Sequence, residues 1–159
     1  MSIFIRFIAD GSFVSRAIGW RTDGRPSHVE YLITDTSGHP VRTFGARLSG
    51  GITHRPYDYC KPTFEEWYSF PGIESSYSEA LKLDGRKYNW VDILCLLFGI
   101  FPKSFDPERL VCDQLVGYSN RMSWANGLSG VLINPNVPTE EMTPELLYGA
   151  VTIMVKKVL

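Results

Sequence analysis

Pro26-Ser27-His28-Val29-Glu30-Tyr31-Leu32-Ile33 carries the clearest strand signal in the chain. Residues 29–34 are β-branched and aromatic, and a polar turn precedes them. On a period-two strand, Val29, Tyr31 and Ile33 share one face, while His28, Glu30 and Leu32 share the other. The apolar face must enter the core. The His28–Glu30 face is then the side on which a site can be built. A histidine paired with a carboxylate keeps one tautomer and can hold positive charge beside a thiolate. Side chains at i and i+2 lie roughly 6–7 Å apart by strand rise, so spacing alone does not establish direct contact.

Around this strand the pattern alternates between sheet and helix. Residues 3–8 are apolar at nearly every position and read as a strand buried on both faces. Gly11-Ser12 ends it, and residues 13–20 carry apolar side chains at helical spacing. Thr36-Ser37-Gly38-His39-Pro40 is turn chemistry, so 41–44 read as the return strand of a hairpin-like pair. Residues 47–55, with Gly50-Gly51, read as loop or short edge strand. Residues 62–70 suggest a helical turn with Trp67 packed inward. A helix is expected over 74–83, stopped by Gly85. A second, mostly buried one is expected over 90–101, stopped by Pro102, and a third over 112–122. Asn126-Gly127 and Asn134-Pro135-Asn136 mark an irregular stretch. Thr143-Pro144-Glu145 opens a short helix, and 150–155 read as the last strand. With no repeat or linker in view, the order predicts one α+β domain over 1–159, with helices packed on an antiparallel sheet.

The totals narrow the function. At 159 residues the chain can bury one sizeable core. Its formal net charge of -1 is not the basic balance of a general nucleic-acid binder. The three cysteines, Cys60, Cys95 and Cys112, form neither a metal pair nor a disulfide framework, which points to a reducing compartment. The first ten residues lack the basic leader and cleavage site of a secretory signal. The longest apolar run, 93–101, is too short to span a bilayer as a helix. A cytoplasmic protein without stable membrane insertion is expected, with delivery elsewhere by a lysis or injection system left open. No cofactor or metal is expected.

Cys112 is the thiol with a chemical context. It lies in Leu110-Val111-Cys112-Asp113-Gln114-Leu115-Val116, where an extended-looking pair runs into a helical pattern. A helix N-terminus stabilises a thiolate through its free N–H groups and dipole. The plain alternative is a buried structural thiol, since free cysteine is among the most buried residue types. Cys95, inside Ile93-Leu94-Cys95-Leu96-Leu97, fits that alternative; Cys112 differs in being followed by Asp113 and Gln114, the pattern of an exposed helix start, and both readings stay open for it. His28 is the histidine suited to serve it. His39 reads as surface, and His54 near Cys60 lacks further metal ligands at suitable spacing. Glu65-Glu66, read on a helix, would face solvent in different directions. Tyr88, in Gly85-Arg86-Lys87-Tyr88-Asn89-Trp90, is either a core anchor or a hydrogen-bond donor near the thiol.

Two of these segments, 85–90 and 111–116, resemble the Gly-x-x-Tyr-x-Trp and Cys-Ser-x-x-Val elements of NlpC-type cell-wall cysteine peptidases. In the standard members the histidine follows the cysteine; here His28 precedes it. That order resembles the circularly permuted branch of the same papain-like fold, which includes relatives of lecithin retinol acyltransferase. Residues 15–22 and Gly45-Ala46…Gly50-Gly51-Ile52 resemble that branch as well, so the likeness runs over roughly 1–120.

The resemblance implies a papain-like fold with Cys112 as nucleophile at a helix N-terminus, His28 as its base and Tyr88 beside the thiol. It implies an acyl-enzyme route on an amide or ester carbonyl, with the Cys112 N–H helping to hold the oxyanion. Asp113 stands where the family has a small residue, and a neighbouring negative charge raises a thiol pKa unless it points away or caps the helix. The strand that usually supplies the histidine-orienting residue offers Arg42, Thr43, Phe44 and Gly45. Thr43 serves, Glu30 substitutes, or the third member is missing. The expected substrate is a peptide, a peptidoglycan fragment or an acyl compound. The leading expectation is a cysteine hydrolase cleaving an amide bond. The alternatives are a thiol-dependent lipid acyl hydrolase or transferase, and a non-catalytic binding or assembly module such as a phage-particle component.

Overall fold

The computed structural model describes residues 1–22, 26–91, 93, 109–125 and 148. Five strands form one antiparallel sheet: β1 (Ile3–Asp10), β2 (His28–Thr34), β3 (Pro40–Arg47), β4 (Gly51–Pro56) and β5 (Pro62–Tyr68), in the order β4-β3-β2-β1-β5. Helices α1 (Phe13–Thr22), α2 (Ile73–Leu81) and α3 (Cys112–Ala125) accompany it. Two short strands, β6 (Lys87–Tyr88) and β7 (Arg109–Leu110), pair in parallel. The expected α+β arrangement, an antiparallel sheet against helices, is what forms. The elements expected over 143–145 and 150–155, and most of the one over 90–101 with Cys95, lie outside the described residues.

Alternation along the strands sorts the two faces. Ile3, Ile5 and Phe7 of β1 join Val29, Tyr31 and Ile33 of β2, then Phe44, Ala46 and Ile52, in one apolar cluster. Helices α2 and α3 pack on each other over this face and supply Ile73, Tyr77, Ala80, Leu115 and Val116. The fully buried Tyr31 hydroxyl is bonded to Ser76 of α2 (2.7 Å) and Ser119 of α3 (2.6 Å). One phenol thus pins both helices to the central strand.

The other face is polar, yet it is also buried. Arg6 and Glu30 are cross-strand partners at its centre, 2.9 Å apart, at 1 % and 0 % exposure. Burying two charges costs several kcal/mol per ion unless the remaining donors and acceptors are satisfied. Here they are. Arg6 also reaches Glu65 Oε1 (2.8 Å) and the Tyr57 carbonyl (3.3 Å), and stacks on the Tyr57 ring. Glu30 accepts from Tyr59 Oη (2.8 Å).

Tyr57 and Tyr59 belong to the connection from β4 to β5, which join opposite edges of the sheet. Flat, those edges would stand about 19 Å apart at the usual strand spacing. Six residue steps span about 20 Å only when fully extended. Residues 57–60 are turned instead. The sheet therefore curls, and its edges approach one another over the polar face.

Two expectations need correction. Residues 62–70 hold strand β5, not a helical turn; Phe64, Trp67 and Tyr68 have helical spacing, but pairing with β1 prevails. Glu65 and Glu66 consequently lie on opposite faces of a strand rather than on a solvated helix: Glu65 meets Arg6, and Glu66 accepts from Tyr68 and Tyr148. Tyr88 sits in β6, paired with Leu110, and the chain turns helical two residues later at Trp90. Residues 47–55 resolve in favour of an edge strand, β4.

Arg6→Met would leave Glu30 and Glu65 without their shared cation. Urea unfolding should show a loss of about 3–5 kcal/mol; a loss under about 1 kcal/mol would remove this pair from the centre of the fold's energetics.

Candidate functional site

His28 opens β2 on the polar face, and its Nε2 lies 3.3 Å from Glu30 Oε2. Strand rise left this contact open; the side chains lean together and close it. Room for Glu30 comes from Gly45 on β3, where an added Cβ would fall 2.7 Å from the Glu30 Cβ. The side chain that bonds His28 is thus Glu30, not Thr43, whose buried Oγ1 has no hydrogen-bond partner among the described residues.

The protonation pattern follows from burial and neighbouring charge. Burial is the largest influence on His28 and the Arg47 charge adds to it; together they outweigh Glu30 and bring the imidazole down to about 4. Burial alone would raise the Glu30 carboxyl, but the His28 hydrogen bond and the charges of Arg47 and Arg6 hold it at about 2. At neutral pH, a neutral imidazole donates from Nε2 to a carboxylate. Nδ1 then keeps a lone pair, and the ring makes no other hydrogen bond among the described residues. The imidazole is thus held in one orientation.

His28 lines a cavity of about 580 Å³. Helix α1 gives it one wall through Val14, Ser15 and Ile18, while Tyr88, Leu48 and Ser49 contribute others. Arg47, Arg55, Tyr59 and Cys60, together with the Asp10 carboxylate, complete its charged side. Ser12 caps α1 by accepting from the Ser15 N–H (3.2 Å), and the Ser15 and Ser27 hydroxyls bond one another, which fixes α1 against the start of β2.

Cys112 is the first residue of α3, as the sequence indicated. Val111 caps the helix: its carbonyl accepts from Leu115 N–H (3.0 Å), and Gln114 Oε1 reaches back to its N–H (3.2 Å). The thiol is 2 % exposed and belongs to the apolar cluster with Val29 and Tyr31. Its layer lies on the sheet face opposite the His28 side chain.

Cys112 and His28 nevertheless belong to the same end of the sheet. Extending the β2–β3 register brings Arg47 level with His28, and Arg47 pairs with Gly51. The next residue, Ile52, exchanges backbone hydrogen bonds with Gly85 and Arg86, just before Tyr88. Tyr88 pairs with Leu110, two residues from Cys112. The structure thus brings His28 and Tyr88 to the cavity, with Glu30 buried behind His28, and among the described residues the cavity wall does not include Cys112.

The sequence reading missed Arg6, Arg47, Arg55, Tyr59 and Cys60. The only local signal was two tyrosines at alternate positions in Tyr57-Asp58-Tyr59-Cys60, just after Arg55. His54, weighed as a metal ligand, bonds the Tyr77 hydroxyl (2.8 Å). Among the described residues, no group of three His, Cys, Asp or Glu side chains is placed to hold a metal ion.

The buried dyad makes acid stability testable. His28 titrates lower folded than at its ordinary 6.5, so the unfolded chain binds more protons between about 6.5 and 4. Stability is therefore full above pH 6.5 and falls as pH drops toward 4. Glu30 continues the loss from about 4.5 toward 2. Melting temperature should decline from pH 7 to 5, and His28→Gln should flatten that segment. A flat wild-type profile over pH 7–5 would refute the assignment.

Compared with known proteins, the chain matches no family model and no curated relative.

Proposed function

We propose that the chain is a thiol-dependent hydrolase of amide bonds, with a permuted papain-like arrangement in which Cys112 attacks, His28 carries the proton and Glu30 holds His28. The observation that carries this reading is the His28–Glu30 dyad, a neutral imidazole fixed by a buried carboxylate at the wall of a ligand-sized cavity. The position of Cys112 as first residue of α3, two residues beyond the strand paired with Tyr88, supports it.

In this scheme the thiol and the imidazole meet around the end of the sheet they share, where His28 Nδ1 takes the thiol proton and Sγ attacks the carbonyl carbon. The C–N bond breaks as His28 delivers that proton to the leaving amine. Water, deprotonated by His28, then cleaves the thioester and restores the thiol. The N–H groups at the start of α3 face the developing oxyanion. A peptide or peptidoglycan fragment is the proposed substrate; an ester-linked acyl chain would follow the same steps.

A second reading is a binding module without turnover. The burial of Cys112 in the apolar cluster, on the face away from His28, favours it.

Peptide, muropeptide and lipid-ester panels separate these readings. Cys112→Ala should abolish hydrolysis, and His28→Ala should slow it by about 10²–10⁴-fold. Cys60→Ala should leave turnover in place. Thiol labelling across pH should find Cys112 faster than free cysteine, and slower after His28→Ala. If Cys112→Ala keeps turnover, Cys112 is not the nucleophile; if the whole panel is inert and Cys112→Ala keeps the biological effect, the binding-module reading stands.

A further inference from the structure

The cavity beside His28 has a charged side that proton transfer does not require. Two guanidinium groups line it, from Arg47 on β3 and Arg55 on β4, and both pack against the Tyr59 ring, at 4.8 and 6.0 Å. Arg55 is fixed by four backbone carbonyls, those of Gly45, Thr53, Ser49 and Gly51. These bonds occupy its donors without neutralising its charge, and among the described residues no carboxylate bonds it. Arg47 has one ionic partner, Asp10, at 3.2 Å. A second contact of Arg47 runs to Cys60 Sγ at 3.9 Å. Its Nε–H is shielded from solvent and has no acceptor among the described residues. The other carboxylates of this face, Glu30 and Glu65, are both engaged by Arg6.

Burial and the neighbouring Arg47 charge both push the Arg55 pKa down, and an anion in the cavity relieves that repulsion. Guanidinium groups match planar carboxylates and phosphates. Val14, Ile18 and Leu48 offer an apolar wall of the same cavity for the remainder of a small molecule.

We propose that this cavity takes a ligand bearing an anionic oxygen group, a carboxylate or a phosphate, bonded by Arg47 and attracted by the charge of Arg55 beside it. As a statement about substrates it rests on the hydrolase reading: the bond cleaved lies a few atoms from a free acidic group, as in a short acidic peptide or amide. As a statement about binding it stands without turnover.

The test is calorimetric titration of the full chain at constant ionic strength with three probes: glutarate, its neutral analogue glutaramide, and inorganic phosphate. Binding of glutarate but not glutaramide supports a carboxylate; binding of phosphate alone supports a phosphate group. In either case Arg47→Gln should weaken binding at least about tenfold, and Arg47→Lys should restore part of it. Equal binding of glutarate and glutaramide, no binding by either anion, or unchanged affinity in a folded Arg47→Gln overturns the proposal. Because the readout is binding, a chain that hydrolyses nothing yet binds the anion through Arg47 would refute the hydrolase reading and leave this one intact.

Discussion

The ion pair between Arg6 and Glu30 governs this fold. It lies at the middle of the sheet, on adjacent central strands, with both side chains out of reach of water. Such a pair is a poor source of stability by itself, since desolvation offsets most of its Coulomb energy. It is instead a constraint. Every remaining donor and acceptor needs a partner, and those partners come from the edge strand β5, the turn after β4 and the first residue of β2. The curl of the sheet and the orientation of His28 both answer that requirement.

The two faces divide the labour. The helix face is held by apolar packing, with a single polar knot at Tyr31, whose burial pushes its phenol pKa up to about 12 and keeps it a neutral hydroxyl. The opposite face is held by charge and hydrogen bonds, and there the cavity forms. A buried polar network lets groups such as His28 and Arg47 sit near a ligand in fixed positions with little exposure.

Alternation in β2 was enough to read the central strand, its inward face and the shared side of His28 and Glu30. The helix start at Cys112 was equally legible, because polar residues follow the thiol directly. What failed was pattern without local cause. Arg6 looks like an interruption in an apolar run, because its counter-charge lies 24 residues away. In β5, Glu65 and Glu66 break any alternation, and their partners Arg6 and Tyr148 come from distant parts of the chain. Strand β6 has two residues, too few to show a period. The charged side of the cavity exists only once β3, β4 and the turn after β4 are brought together, so no window of sequence contains it.

The turn at 57–60 has a further consequence. Surface connections are ordinarily where insertions accumulate, since lengthening a loop costs little in entropy. This one touches Arg6, Glu30, Arg47 and Arg55 through two tyrosines. It works as a clasp whose length sets the curvature of the sheet and the height of the cavity together. A chain that varied in length here would change the curvature of the sheet and the volume of the cavity together.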